Sequence, residues 1–151
     1  MNSDKIRSIV LAAVMVMSVF AIATGPVSAA GNTDVQLTEA STSGSTVTYN
    51  IEVTTADSGV GTFGEIEVTT NDTAAAEITD INDATGAGND AKNVASDGSS
   101  ATIAAQFGGD TSDTGTVTVA TVEVEAGSGV ADIGLNVNGD IFDEGGGIYA
   151  V

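Results

Sequence analysis

The sequence predicts an all-β domain built as an antiparallel β-sandwich, and three observations carry that prediction. Short segments alternate apolar and polar residues with the two-residue period of a half-buried strand. Turn-rich stretches separate them at regular spacing. Glycine occurs 19 times, whereas the single proline, Pro26, belongs to an N-terminal segment outside the alternating region. Of 151 residues, 1–30 read as an export signal and 31–151 as one domain. A domain of that length buries roughly two-thirds of its unfolded surface and stands without disulfides or metals.

The export signal opens with the charged stretch Asp4-Lys5-Ile6-Arg7 and continues as an uncharged run from Ser8 to Ala23. It breaks at Gly25-Pro26, and the small residues of Val27-Ser28-Ala29-Ala30 supply a cleavage site after Ala29 or Ala30. The apolar run is a little short for a bilayer span; an uncleaved N-terminal anchor is the alternative. No twin-arginine pair is present, so the general secretory pathway is the expected route to the cell surface or medium.

The strands follow in order. Asp34 to Leu37 is a weak segment, and Thr46 to Thr54 a strong one, with Val47, Tyr49, Ile51 and Val53 in one parity. Glu65 to Thr69, Thr102 to Phe107 and Asp132 to Val137 repeat the alternation; Glu77 to Ile81 and Ile148 to Val151 are weaker. In Thr116 to Glu125, Val117 and Val119 share one parity but Val122 and Val124 the other. That slip near Ala120-Thr121 predicts either a β-bulge or a passage between sheets. Turns are expected at 41–45, 57–61, 84–90, 97–100, 108–115 and 127–129. Thr73 to Glu77 reads as one helical turn after an Asn71-Asp72 bend.

Composition removes whole classes of function. With no cysteine or histidine, thiol nucleophiles, cysteine-bound zinc and the commonest neutral-pH general base are absent. The net charge is −18, and beyond residue 30 there are 20 acidic residues against the single cation Lys92. A chain so poor in cations has nothing with which to neutralise nucleic-acid phosphates or anionic lipid. Repulsion of this size reaches about 10 Å in 0.1 M salt but about 3 Å in 1 M, so the composition suits a halophilic setting.

Candidate sites are few. Asn136, Asn138 and Asp140, with Asp143 and Glu144 close behind, cluster oxygen donors around Gly139 as a calcium site requires. Gly147 stands where an EF-hand-like loop needs an acid, so an acidic hairpin fits the spacing better. Asp80, Asn82, Asp83, Asn89 and Asp90 read as a solvated loop. Asn71-Asp72-Thr73 is the one Asn-x-Thr sequon, which would make the chain a glycoprotein at Asn71. Glu65/Glu67 and Glu123/Glu125 are spaced as wet strand faces, not as the facing acids of a glycosidase. Among the aromatics, Tyr49 and Phe107 follow buried parity, and Phe63 and Phe142 are the candidates for exposure. No catalytic residue and no cofactor beyond calcium is assigned.

Two resemblances add to this. The string from Asp4 to Ala21 resembles the signal region of haloarchaeal surface-layer glycoproteins, which implies an archaeal source and an exported destination. In the mature part, the order of Gly61-Thr62-Phe63-Gly64-Glu65-Ile66-Glu67-Val68, Ile78 to Ile81, Asp97 to Ala105, Gly115 to Val124 and Gly147-Ile148-Tyr149 is similar to a cohesin-type domain of the carbohydrate-binding-module-like superfamily. That resemblance implies a jelly-roll sandwich of about nine strands. It also implies a non-enzymatic module that docks a protein partner, dockerin-like or another surface protein, or alternatively binds polysaccharide. A subunit of a surface layer or filament is the further alternative. The chain departs from the family's larger proteins in showing no second module, dockerin repeat or sorting segment.

Overall fold

The computed structural model describes residues 33–55, 59–84, 86, 89–106, 115–142 and 148–149. The signal with Ala29 and Ala30, and Phe107, Asp143 and Glu144, lie outside the described residues. Among the described residues, no helix is long and apolar enough to cross a membrane.

The strands are β1 (Asp34–Ser43), β2 (Thr46–Thr55), β3 (Thr62–Thr70), β4 (Ala76–Asp83), β5 (Asn89–Val94), β6 (Ser100–Gln106), β7 (Gly115–Ala126), β8 (Ile133–Val137), β9 (Ile141–Phe142) and β10 (Ile148–Tyr149). One sheet runs β1-β2-β7-β4; the other runs β10-β9-β3-β6-β5, with β8 also paired to β3. Every pairing is antiparallel. β8 and β9 lie end to end on one edge of β3, Val137 opposite Ile66 and Ile141 opposite Phe63, and so form one interrupted strand. Among the described residues the sandwich therefore has nine strands.

The interruption is a close backbone contact. A Cβ on Gly64 would stand 2.9 Å from the Gly139 Cα, so glycine on both sides is what lets the two chains touch. The Asn138 N–H donates to the Glu65 carbonyl at 2.7 Å and the Gly64 N–H to the Asp140 carbonyl at 2.9 Å, holding the bulge in place.

The core follows from the alternation. Ile51, Ile66, Ile78, Ile81, Ile103 and Ile141 are fully buried between the sheets, each contributing about 1.5–3 kcal/mol of transfer free energy. The parity slip in β7 is a bulge within one sheet: Ile51 pairs with Ala120 but Glu52 with Thr118, leaving Val119 as the extra residue. Val119 and Ala120 both point inward at 0% exposure, and Val122 and Val124 thereby stay in the core.

Three readings need correction. Phe63 is 1% exposed, because its parity in β3 matches Ile66 across a second bulge between Phe63 and Ile66. The stretch 84–90 is not all loop, since β5 begins at Asn89. Asp80, Asn82 and Asp83 belong to β4 and Asn89 and Asp90 to β5, so those five are strand residues, not a solvated loop. The one-turn reading holds only in part: the Asp72 carbonyl accepts from the Ala75 and Ala76 N–H groups at 3.1 and 2.9 Å, but the turn ends at Ala75, and Ala76 and Glu77 open β4.

Lys92 fastens the sheet edges together. From β5 it reaches β4, donating to Asn82 Oδ1 and lying 3.7 Å from Asp80. Asp80 is held below its ordinary value of 3.8, first by the Asn82 amide, then by the Ile81 N–H and Lys92. A depressed carboxylate stabilises the fold above its unfolded value and loses that contribution as pH falls through the folded one. Asp80→Asn is therefore expected to flatten the loss of stability below about pH 4, by less than about 1 kcal/mol because the pair is wet. Urea midpoints at neutral and acid pH read this; equal acid sensitivity in both proteins argues against it.

Candidate docking face

The two sheets present unlike outer faces. Directly opposed residues of antiparallel strands share a face, so the register reads off as rows across the six-stranded sheet. One row is Asn93-Thr102-Glu67-Asn136, spanning β5, β6, β3 and β8. Beside it Ala91 faces Ala104, and Ser100, Thr69 and Gly134 form the next row. These side chains are small and uncharged apart from Glu67, with Glu65 at the neighbouring bulge. These rows are nearly neutral.

The four-stranded sheet is the opposite case. Its rows set Thr46-Glu125-Glu77, Ser41-Thr48-Glu123-Asp80 and Gln36-Glu52-Thr118 side by side. Glu125 lies opposite Glu77, and Glu123 opposite Asp80. Hydroxyls answer part of this charge: Ser45, then Thr46, donate to Glu125 and hold its carboxyl below the ordinary value. Gln36 Nε2 donates to Glu52 at 3.3 Å. These rows of the four-stranded sheet thus hold Glu52, Glu77, Asp80, Glu123 and Glu125, whereas those of the six-stranded sheet hold Glu67 alone.

The residues that the sequence put forward for calcium are only partly brought together. Asn136 Nδ2 donates to Asn138 Oδ1 at 2.8 Å, and Asn138 Nδ2 to Glu65 Oε1 at 3.3 Å. Their amides thus serve one another across the β8–β3 edge, while Asp140 uses its carbonyl for the bulge. Among the described residues no three acidic side chains gather to hold a metal. Asn71 is exposed at the end of β3 and bound to Asp132. Tyr49 is buried, and burial pushes its hydroxyl's pKa up, helped by Glu39. Phe142 sits half-buried in β9, with a parity opposite to the fully buried Ile141.

Sequence reasoning missed the neutral face. Its signal was present, in that Thr102, Ala104 and Glu67 occupy the polar parity of their strands, but β5 had not been recognised and the row could not be assembled.

Comparison with solved structures identifies the architecture. A cohesin from the type I cohesin–dockerin complex Coh-OlpC–Doc435 of Clostridium thermocellum superposes with a TM-score of 0.58 at 13% identity, covering 83% of this chain and 91% of that one. The fold is a cohesin-like β-sandwich. CaCohA2 of Clostridium acetobutylicum, in its solution structure, matches with a TM-score of 0.56 at 13% identity over 80% of this chain and 91% of its own. CaCohA2 in complex with a CaDoc0917 variant gives 0.56 at 12% identity, covering 76% and 91%. No protein-family sequence profile matches the chain, and no curated protein matches it by sequence. The cohesin-like likeness therefore lives in the three-dimensional strand order.

Proposed function

We propose that the chain is a non-catalytic docking module, exported through the general secretory pathway to the cell surface or medium, that holds a dockerin-like protein partner on the outer face of its six-stranded sheet. The observation that carries this is the composition of that face: in a chain of net charge −18, the Asn93-Thr102-Glu67-Asn136 row and its neighbours hold few carboxylates. A protein partner can close on such a surface without desolvating a field of like charges. The cohesin-like fold, seen in complexes of cohesins with dockerins, supports the same class of partner. A polysaccharide ligand has less behind it, because Tyr49 and Phe63 are core residues and sugar rings call for exposed stacking rings.

The test uses a variant at the centre of the face. Ala104→Arg puts a long charged side chain where Ala91 and Ala104 stand side by side, and is expected to weaken partner binding at least about 100-fold while leaving the unfolding midpoint within about 0.5 kcal/mol of the parent. Binding is read by retention of dockerin-bearing proteins in molar salt. Undiminished retention by the arginine variant, or retention abolished instead by changes on the β2–β7 face, removes the assignment.

A further inference from the structure

The Asn71-Asp72-Thr73 sequon holds a geometry that bears on its own modification. Asn71 follows β3 directly, and the β3–β8 ladder ends with Thr70 opposite Ile133. The next pair, Asn71 and Asp132, continues it with a side chain standing in for backbone. The Asn71 N–H donates to the Asp132 carbonyl at 3.3 Å. In return the Asp132 N–H donates to Asn71 Oδ1 at 2.9 Å, and Asn71 Nδ2 donates to Asp132 Oδ2 at 2.9 Å. Donor and acceptor chemistry fixes the amide's orientation, since a backbone N–H needs the oxygen and a carboxylate needs the NH₂. The adjoining turn is closed as well: Asp72 Oδ1 accepts from the Ala74 N–H at 3.0 Å, and the Ala74 and Ala75 carbonyls accept from Ser128 and Gly127.

We propose that Asn71 is an N-glycan acceptor only while the chain is unfolded, and that folding withdraws it by engaging the amide hydrogen a glycan replaces. In the transfer, Nδ2 bonds to the anomeric carbon of a lipid-linked sugar donor. The carbon–oxygen bond to the lipid phosphate breaks, the phosphate leaves on the lipid, and Nδ2 releases one hydrogen as a proton. The product is a secondary amide, and secondary amides are trans. The sugar carbon therefore lies on the same side of the C–N bond as Oδ1. Asn71 grips Asp132 through Oδ1 and Nδ2 together, so the hydrogen in that grip is the one on the Oδ1 side. Glycan and Asp132 compete for one position. A glycan attached before folding leaves the β7–β8 connection without the side-chain part of its Asp132 tether.

The test offers the full folded chain in salt to an N-oligosaccharyltransferase with a lipid-linked oligosaccharide, beside a synthetic peptide of residues 66–78. The peptide is expected to be modified at Asn71 and the folded chain at least about tenfold more slowly; Asp132→Ala recovers much of the rate, whereas Asp132→Asn, which keeps an acceptor oxygen, does not. Circular dichroism confirms that each variant is folded. In any glycosylated chain the Asp132 amide should exchange hydrogen at least about tenfold faster than in the unmodified one. Equal rates for chain and peptide, an unmodified peptide, a Asp132→Ala chain as slow as its parent, or an Asp132 amide equally protected in both forms overturns the proposal.

Discussion

Truncating Phe63 to alanine is expected to lower the unfolding free energy by about 3–5 kcal/mol. Phe63 is 1% exposed in a strand flanked on both edges, opposite Ala105 of β6 and Ile141 of β9. Ala105 is small, so the ring fills room that its neighbours cannot close, and β3 cannot move inward without breaking ladders on two sides. Domains of this size hold about 5–15 kcal/mol in total, so the variant forfeits a large share of it. Phe142→Ala supplies the contrast, since its half-buried ring in a two-residue strand should cost under about 1.5 kcal/mol. Urea unfolding in concentrated salt measures both. A Phe63→Ala protein within about 1 kcal/mol of its parent would mean that the ring is not the centre of the core.

Salt is expected to change stability by a comparable amount. On the β2–β7–β4 face, Glu77 opposes Glu125 and Asp80 opposes Glu123, and opposed residues stand about 5 Å apart at their Cβ atoms. Each such repulsion is of order 1 kcal/mol in water, and 20 acidic residues beyond residue 30 face one lysine. Raising salt from about 0.1 M to about 2 M shortens the screening length well below these spacings, so stability should rise by a few kcal/mol. Sulfate and phosphate also strengthen apolar burial, so chloride is the salt to use, with a Glu77→Gln/Glu123→Gln variant as control. That variant should be more stable than its parent in dilute buffer and gain less from salt. A parent whose midpoint is flat across the range contradicts the repulsion account.

Most of the strands that stand out in the sequence have a neighbour on each side; β8, paired with β3 alone, is the exception. β2 and β6 bury one parity, β3 and β7 one parity on each side of a bulge, and their valines and isoleucines announce it; the slip from Val117 and Val119 to Val122 and Val124 even marks the bulge at Val119. β5 gives no such sign. It is an edge strand in which Lys92 shares the parity of Ile103 yet stays wet by reaching the rim at Asp80, so Val94, at its end, is the one apolar residue on its inward face. β9 is two residues long and depends on the Gly64–Gly139 contact between segments far apart in sequence. Phe63 was misjudged for a related reason, because glycine and glutamate beside it reflect a bulge and not exposure. The neutral face was illegible for want of β5, and the Asn71 grip because Asp132 lies in a connection that no pattern links to the sequon.

The Lys92 fastening has a practical corollary. Lysine and arginine occur nowhere else beyond residue 30, so trypsin meets one cleavable bond in the whole sandwich, and that bond lies inside β5. Nicking there requires the rim strand to peel from β6. When reclosing outpaces cleavage, the rate of a single cut counts how often this border opens, giving a local gauge of fraying without any engineered label.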